Sequence, residues 1–125
     1  MNSAAKAIST FLNAPLIEYI ELDDENFPET VIVASDCVSQ QFTPQGLDGY
    51  FNEQSDVEIL IPGDSPNDTR DKAKDLIVSL LQDAKLSPWR VSNVTAGGIS
   101  IRSAVTQGSK CVVRVIVTLL ADYGT

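Results

Sequence analysis

Two stretches of the chain carry apolar residues at the three- and four-residue spacing of an amphipathic helix. The first spans residues 4–12, follows Ser3 as a candidate N-cap and ends ahead of Pro15. The second follows residues 64–66, which supply a cap and then a proline at the first helical position. Its apolar positions form one stripe that we expect to face the core: Ala73, Leu76, Ile77, Leu80, Leu81 and Ala84.

Four longer segments have the β-branched residues and the alternation of apolar and polar positions that are typical of strands. They span residues 29–42, 50–61, 89–106 and 111–121. The first two are joined by a loop rich in proline and glycine and therefore predict a long hairpin. Residues 16–22 alternate less clearly and predict a short first strand or an extended linker.

Gly97 and Gly98 form a close glycine pair inside the third of these segments. A phosphate-binding loop needs a helix directly after its glycines, whereas strand-like residues follow here. We therefore interpret the pair as a bend or bulge in a hairpin.

The order of elements is helix, short strand, hairpin, helix, hairpin. This order predicts an α+β fold, with a mainly antiparallel four-stranded sheet and two helices packed on one face. A chain of 125 residues builds one core, and no linker divides it, so we expect a single domain over residues 1–125. No apolar run approaches the ~20 residues that span a bilayer, and no secretory signal is visible, so we expect no membrane partner and an intracellular site of synthesis.

Charge is distributed unevenly along the chain. The 17 acidic and 9 basic residues give a formal net charge of −8, which opposes attraction to nucleic acid and to anionic membranes. Residues 1–69 hold 13 acids and one base, whereas residues 70–125 hold 4 acids and 8 bases. If the two signs separate onto different flanks of the fold, they suit a head-to-tail contact between identical subunits. If the two parts interleave in the fold, the asymmetry has no such meaning.

The residue types of several common catalytic and metal sites are missing. The chain has no histidine, which removes the usual general base at neutral pH and the commonest transition-metal ligand. Cys37 and Cys111 lie in apolar runs and are interpreted as buried thiols, with a disulfide as the alternative. Residues 23–25 are acidic but lack the spacing and the glycine of a calcium loop. We expect no cofactor, no metal and no catalytic residue. An enzyme acting through Asp, Glu or Lys and a small ligand-binding regulatory domain remain the alternatives outside assembly.

In the order of its pieces, the chain resembles the tail terminator proteins of long-tailed bacteriophages, also called tail completion or minor tail proteins. The resemblance covers nearly the whole length and rests on order and size. Its departures are the glycine interruption at 97–98 and the long segment 89–106. The matching pieces are a helix at 4–12, an apolar segment at 16–20, an acidic stretch ending in Phe-Pro at 23–28, a strand at 30–42, a polar loop at 43–52, a strand at 57–62, a helix at 67–84 and the strands after residue 89.

The resemblance implies a structural virion protein that performs no catalysis. Such a protein forms a homo-hexameric ring at the head-proximal end of the tail tube, stops tube polymerisation and provides the surface for head-tail joining. The implied partners are further copies of the chain, the tail tube protein and a neck or head-completion protein, while DNA passes through the ring without specific binding. The implied location is the virion, with the host cytoplasm during assembly. Another neck or head-tail connector protein is the alternative.

Two groups of residues are candidates for these contacts. For the tube or neck we select polar, apolar and aromatic residues of the predicted loop and hairpin tip, because a partner can bury them: Gln40, Gln41, Thr43, Gln45, Leu47, Asp48, Tyr50 and Phe51. For the contact between subunits we select bases of one copy and acids of its neighbour, which would set register more than strength: Arg90, Arg102, Lys110 and Arg114, with Asp23, Asp24, Glu25, Glu53, Asp56 and Glu58.

Overall fold

The described part of the chain contains two helices and six strands. The computed structural model describes residues 4–17, 28–34, 39–44, 51–82, 89–104 and 108–123. Neither described helix is long and apolar enough to cross a membrane. In chain order the elements are α1 (Ala4–Leu12), β1 (Leu16–Ile17), β2 (Ile32–Ala34), β3 (Ser39–Pro44), β4 (Phe51–Gly63), α2 (Pro66–Gln82), β5 (Trp89–Ala104) and β6 (Gly108–Tyr123).

The six strands join one sheet with β4 and β6 at its centre. The strand order is β1-β2-β4-β6-β5, and β3 lies beside β4 outside this path. β4 pairs antiparallel with β6 along its whole length, from Phe51 opposite Tyr123 to Gly63 opposite Cys111. β3 pairs with the first half of β4, and β2 pairs with the second half. The α+β class is confirmed, and the two helices occupy the expected places in the order of elements.

The expected four-stranded, mainly antiparallel sheet is wrong in strand number, and one of its pairings is parallel. β1 runs parallel to β2 with Leu16 opposite Val33, and the Val33 amide donates to the Pro15 carbonyl at 2.9 Å. The single strand expected over residues 29–42 is instead represented by β2 and β3, and residues 35–38 lie outside the described part. A strand of two residues is too short to show alternation, so the sequence could not identify the β1–β2 pairing.

Both helices pack on the same face of the sheet, as expected. Alternate residues of a strand point to opposite faces, and Val57, Ile59 and Ile61 of β4 all point to the helices. They share one core with α1 and α2. The buried residues of this core are Ala4, Ala5, Ile8, Val33, Val57, Ile59, Ile61, Ala73, Leu80, Trp89, Val113, Val115, Val117, Leu119 and Ala121. We call this side of the sheet the helix face.

Local hydrogen bonds form the C-terminal end of α1 and the N-terminal end of α2. Asn13 follows α1 with a positive φ of 52°, a conformation that asparagine tolerates better than most residues. The Ala14 amide then donates to the Ser9 carbonyl at 3.1 Å, which closes the last turn. At the start of α2, the Asp68 amide donates to Ser65 Oγ at 3.2 Å. The predicted cap within residues 64–66 is confirmed, whereas Ser3, the candidate cap of α1, lies outside the described residues.

The buried side of α2 is narrower than its sequence stripe. Ala73 and Leu80 are buried, and Leu76 and Ile77 pack partly against the core. Leu81 is 59% exposed, so its assignment to the core is wrong. Successive helix residues are ~100° apart, and Leu80 takes the position facing the sheet, which turns Leu81 toward solvent. Ala84 lies outside the described residues.

β5 contains two irregularities in its pairing with β6. One register shift lies between Ala96 and Gly98, which confirms the bulge expected at the glycine pair. The other lies between Val91 and Asn93, at Ser92, and no glycine marks it in the sequence. Both bulges are therefore on an outer strand of the sheet.

Candidate functional site

The sheet face opposite the helices carries polar and charged side chains at regular positions of β4 and β6. We call it the opposite face and define it by Asp56, Glu58, Arg114, Ile116 and Thr118, which alternate with the core residues of β4 and β6. All five side chains are partly exposed. At one end of this face, near β1, a small apolar cluster forms from Ile32, Leu60 and Val112, with Ile17 packed against it.

Glu58 and Arg114 form an ion pair across the two central strands. Arg114 Nε lies 3.4 Å from Glu58 Oε1, and the two side chains are 42% and 27% exposed respectively. The nitrogen itself is shielded from solvent and makes no hydrogen bond within the described part of the chain, so the contact is electrostatic. An exposed pair of this kind contributes ~0–1 kcal/mol to stability. It links an acid and a base of one chain that were both selected for contact with a neighbour.

A second polar contact joins the same strands one step further along. Thr118 Oγ1 donates to Asp56 Oδ1 at 2.5 Å, and the two residues are register partners. Ser92, at the bulge in β5, donates through its hydroxyl to the Thr118 carbonyl at 3.2 Å. The Thr118 hydroxyl orients the Asp56 carboxylate on the opposite face, and the Ser92 hydroxyl links β5 to the backbone of β6.

The other residues selected for the subunit contact fall into separate parts of the molecule. Arg90 is exposed near the start of β5. Arg102 and Lys110 are register partners at the far end of the β5–β6 hairpin. Glu53 differs from them because it is only 8% exposed, and Ser55 Oγ donates to its Oε1 at 3.5 Å. The acids Asp23, Asp24 and Glu25 lie outside the described residues. The subunit contact stays a prediction.

The residues selected for the tube or neck contact are only partly described. Gln41 and Thr43 are exposed on β3, Gln40 is also in β3, and Phe51 begins β4. β3 thus extends through Pro44, beyond the point at which the sequence predicted a loop. The remaining four, Gln45, Leu47, Asp48 and Tyr50, lie outside the described residues. The contact itself stays a prediction.

Sequence reasoning missed Phe42 as a candidate contact residue. Its side chain is 57% exposed although it lies in the middle of β3. We call a set of register partners that face one another across successive strands a row. The row through Phe42 continues to Glu53, Ala121 and Trp89, and the last two are buried on the helix face. The row therefore begins with an exposed aromatic residue at one sheet edge and ends with a buried one at the other. The sequence feature that could have identified Phe42 is a single aromatic residue within a short segment of otherwise polar residues.

The described residues give no geometric basis for a metal site. No group of three or more Cys, Asp or Glu side chains in this part of the chain is arranged to hold a metal ion. Cys111 is buried as a free thiol, and Cys37 lies outside the described residues. What the described arrangement offers is contact surface: a mixed-charge sheet face and an exposed strand edge.

Comparisons with known proteins give a partial likeness to solved structures and no sequence match. No family model matches the chain, and no curated protein sequence matches it. Among solved structures, the chain is similar to a chain of the "Virion of native gene transfer agent (GTA) particle", with 11% sequence identity and a TM-score of 0.43. The alignment covers 94% of this chain and 84% of that chain. A TM-score of this size carries no conclusion about family or function.

Proposed function

We propose that the chain is a structural virion protein that forms a hexameric ring at the head-proximal end of a phage tail tube. There it stops tube polymerisation and provides the surface to which the head joins. The observation that carries the proposal is the element order of the described chain, which is consistent with the resemblance to tail terminator proteins: α1, then strands β1 to β4, then α2, then the β5–β6 hairpin. The ring acts in the virion, assembles in the host cytoplasm, and needs no catalysis or cofactor.

The two faces of the sheet have different roles in this proposal. Both helices cover one face, so the core of each subunit is complete without a neighbour. The opposite face carries acids and bases together, including Asp56, Glu58 and Arg114, and remains partly exposed. A surface with both signs suits contact with an identical subunit, because acids of one copy can meet bases of the next.

A terminator also needs two unlike ends. One end must repeat what the last tube ring offers its neighbour, and the other must offer nothing that a further tube subunit can use. The β3–β4 end, with exposed Gln41 and Thr43, is the proposed contact with the tube or neck. DNA passes through the ring without sticking, since the net charge of −8 opposes attraction to phosphate.

The test of this function is binding to tube ends. Gold-labelled protein is mixed with purified tail tubes and examined by negative-stain microscopy, and the length of tubes polymerised with and without the protein is measured. We expect label at one end of each tube and arrested growth. Label along the tube walls, or growth unaffected by a molar excess of the protein, would reject the terminator role. Native mass spectrometry over a concentration series gives the subunit number, for which we expect six.

A further inference from the structure

Two of the outer strands of the sheet, β3 and β5, differ in how well they are protected against pairing with another strand. β5 carries bulges at Ser92 and at Gly97, and bulges on an edge strand disrupt further pairing. β3 pairs with β4 alone among the described strands and has no register shift. It also carries no charged residue, and residues 41–44 are all exposed. Its short length and terminal Pro44 confine any further pairing to a few residues.

The direction of the strands makes β3 and β5 complementary edges. Every pairing in the order β3-β4-β6-β5 is antiparallel, so β3 and β6 run one way and β4 and β5 run the other. A rotation about an axis parallel to the strands leaves the direction of every strand unchanged. If identical copies are related by such a rotation, β3 of one copy lies beside a β5 of the next copy that runs in the opposite direction. The antiparallel order of the sheet then continues from copy to copy, as a closed ring requires.

The two edges also lie at the same level in the sheet. The row through Phe42 passes Glu53 and Ala121 and ends at Trp89, and the row through Gln41 ends at Arg90. The first regular residues of β5, before the bulge at Ser92, are therefore level with β3. Continuing a row into the next copy brings Phe42 level with Trp89. Because the Trp89 side chain is already buried within its own chain, the apolar area that this contact can cover is that of the exposed Phe42 ring.

We propose that β3 of one copy adds as an antiparallel strand to residues 89–91 of β5 in a second copy, with Phe42 beside Trp89. The proposal deepens the proposed function, since it assumes the head-to-tail ring and names the contact that closes it. The bulge at Ser92 ends the regular pairing and so fixes its register. Pairing through the backbone gives the ring a contact that does not depend on surface ion pairs.

The direct test is a crosslink between the two edges. Gln41→Cys and Arg90→Cys are introduced together, because both residues are exposed and lie in one row. A short dimaleimide should join copies of the double variant into a ladder that ends at a closed ring. Each single variant serves as a control for linkage through the native thiols and should give no ladder. Dimers from Gln41→Cys alone that persist when Cys37→Ser is added would mean that two β3 strands pair with each other and would overturn the proposal, as would the absence of any ladder from the double variant.

A second test compares two exposed apolar side chains. Phe42 and Leu81 are 57% and 59% exposed, and Leu81 is on α2 and not on an edge strand. We expect Phe42→Ser to raise the concentration for half-assembly by about tenfold or more, because the contact no longer buries an aromatic ring, and Leu81→Ser to leave it unchanged. Equal effects of the two substitutions would overturn the proposal.

The two proposals fail in different ways. Six-membered rings without a crosslink between residues 41 and 90 would reject the edge pairing and leave the tube-end role intact. If the double variant is crosslinked but rings of the unsubstituted protein bind no tube end, the tube-end role is rejected and the edge pairing is left intact.

Discussion

Gly63, the last residue of β4, lies so close to Thr69 in the first turn of α2 that a β-carbon on Gly63 would be 3.0 Å from Thr69 Cβ and would overlap its hydroxyl oxygen. The Thr69 hydroxyl cannot turn away freely, because it donates to the Ser65 carbonyl at 2.5 Å. Lys72 Nζ also donates to the Pro62 carbonyl at 3.4 Å. The start of α2 is therefore packed directly against the end of the central strand.

The first prediction concerns this close approach. Gly63→Ala should lower the free energy of unfolding by ~1–3 kcal/mol, because the added methyl group overpacks the site against Thr69. Urea denaturation followed by circular dichroism measures the change. In a Thr69→Ala background, where the hydroxyl is gone, the same substitution should cost less. An equal cost in both backgrounds would show that Thr69 is not the obstacle.

The second prediction separates two adjacent leucines of α2. Leu80→Ala should lower the free energy of unfolding by ~2–5 kcal/mol, since it removes a fully buried side chain from the core. Leu81→Ala should change it by no more than ~0.5 kcal/mol, because that side chain is 59% exposed. Thermal and urea unfolding of both variants under one buffer condition give the comparison. Similar losses would place both leucines in the core, as the sequence stripe alone suggests.

The third prediction concerns the hydrogen bond between β6 and β4. Thr118→Val keeps the shape of the side chain but removes its donation to Asp56, and should lower the free energy of unfolding by ~1–2 kcal/mol. Thr118→Ser keeps the hydroxyl and serves as the matched control, with a smaller loss. If the serine variant is no more stable than the valine variant, the hydroxyl contributes nothing.

The fourth prediction distinguishes the two roles of Arg114. Arg114→Glu places two acids side by side within one chain and should lower stability by ~1 kcal/mol or less. The charge swap Glu58→Arg with Arg114→Glu should restore the stability of the monomer. If Arg114 also meets an acid of a neighbouring copy, the swap will not restore assembly as measured by light scattering. If the charge swap restores both the stability of the monomer and its assembly, Arg114 pairs only with Glu58 of its own chain.

Regular features of the fold were predictable because each leaves a local pattern in the sequence. The helical spacing in α2, the cap at Ser65 and the bulge at Gly97 all depend on nearby residues, and the structure agrees with each. The β1–β2 pairing and the bulge at Ser92 depend on contacts between distant segments and leave no such pattern.

The candidate site was less predictable for the same physical reason. Residue type identified Glu58 and Arg114 as charged groups suited to a contact, but their mutual pairing depends on the register between β4 and β6. Glu53 was chosen as a surface acid, yet its row lies on the helix face, where it is mostly buried. Phe42 was overlooked because exposure at a sheet edge becomes visible only once the strand order is known.

The long antiparallel pairing of β4 with β6 also determines when the molecule can fold during its synthesis. The ladder joins Phe51 to Tyr123 at one end and Gly63 to Cys111 at the other, so even its nearest partners are separated by α2 and β5. Contacts between such distant residues form late and slowly. A nascent chain therefore emerges from the ribosome with β4 unpaired on one side until β6 follows. During that interval it offers an open strand edge to other chains, which makes aggregation before completion its main hazard.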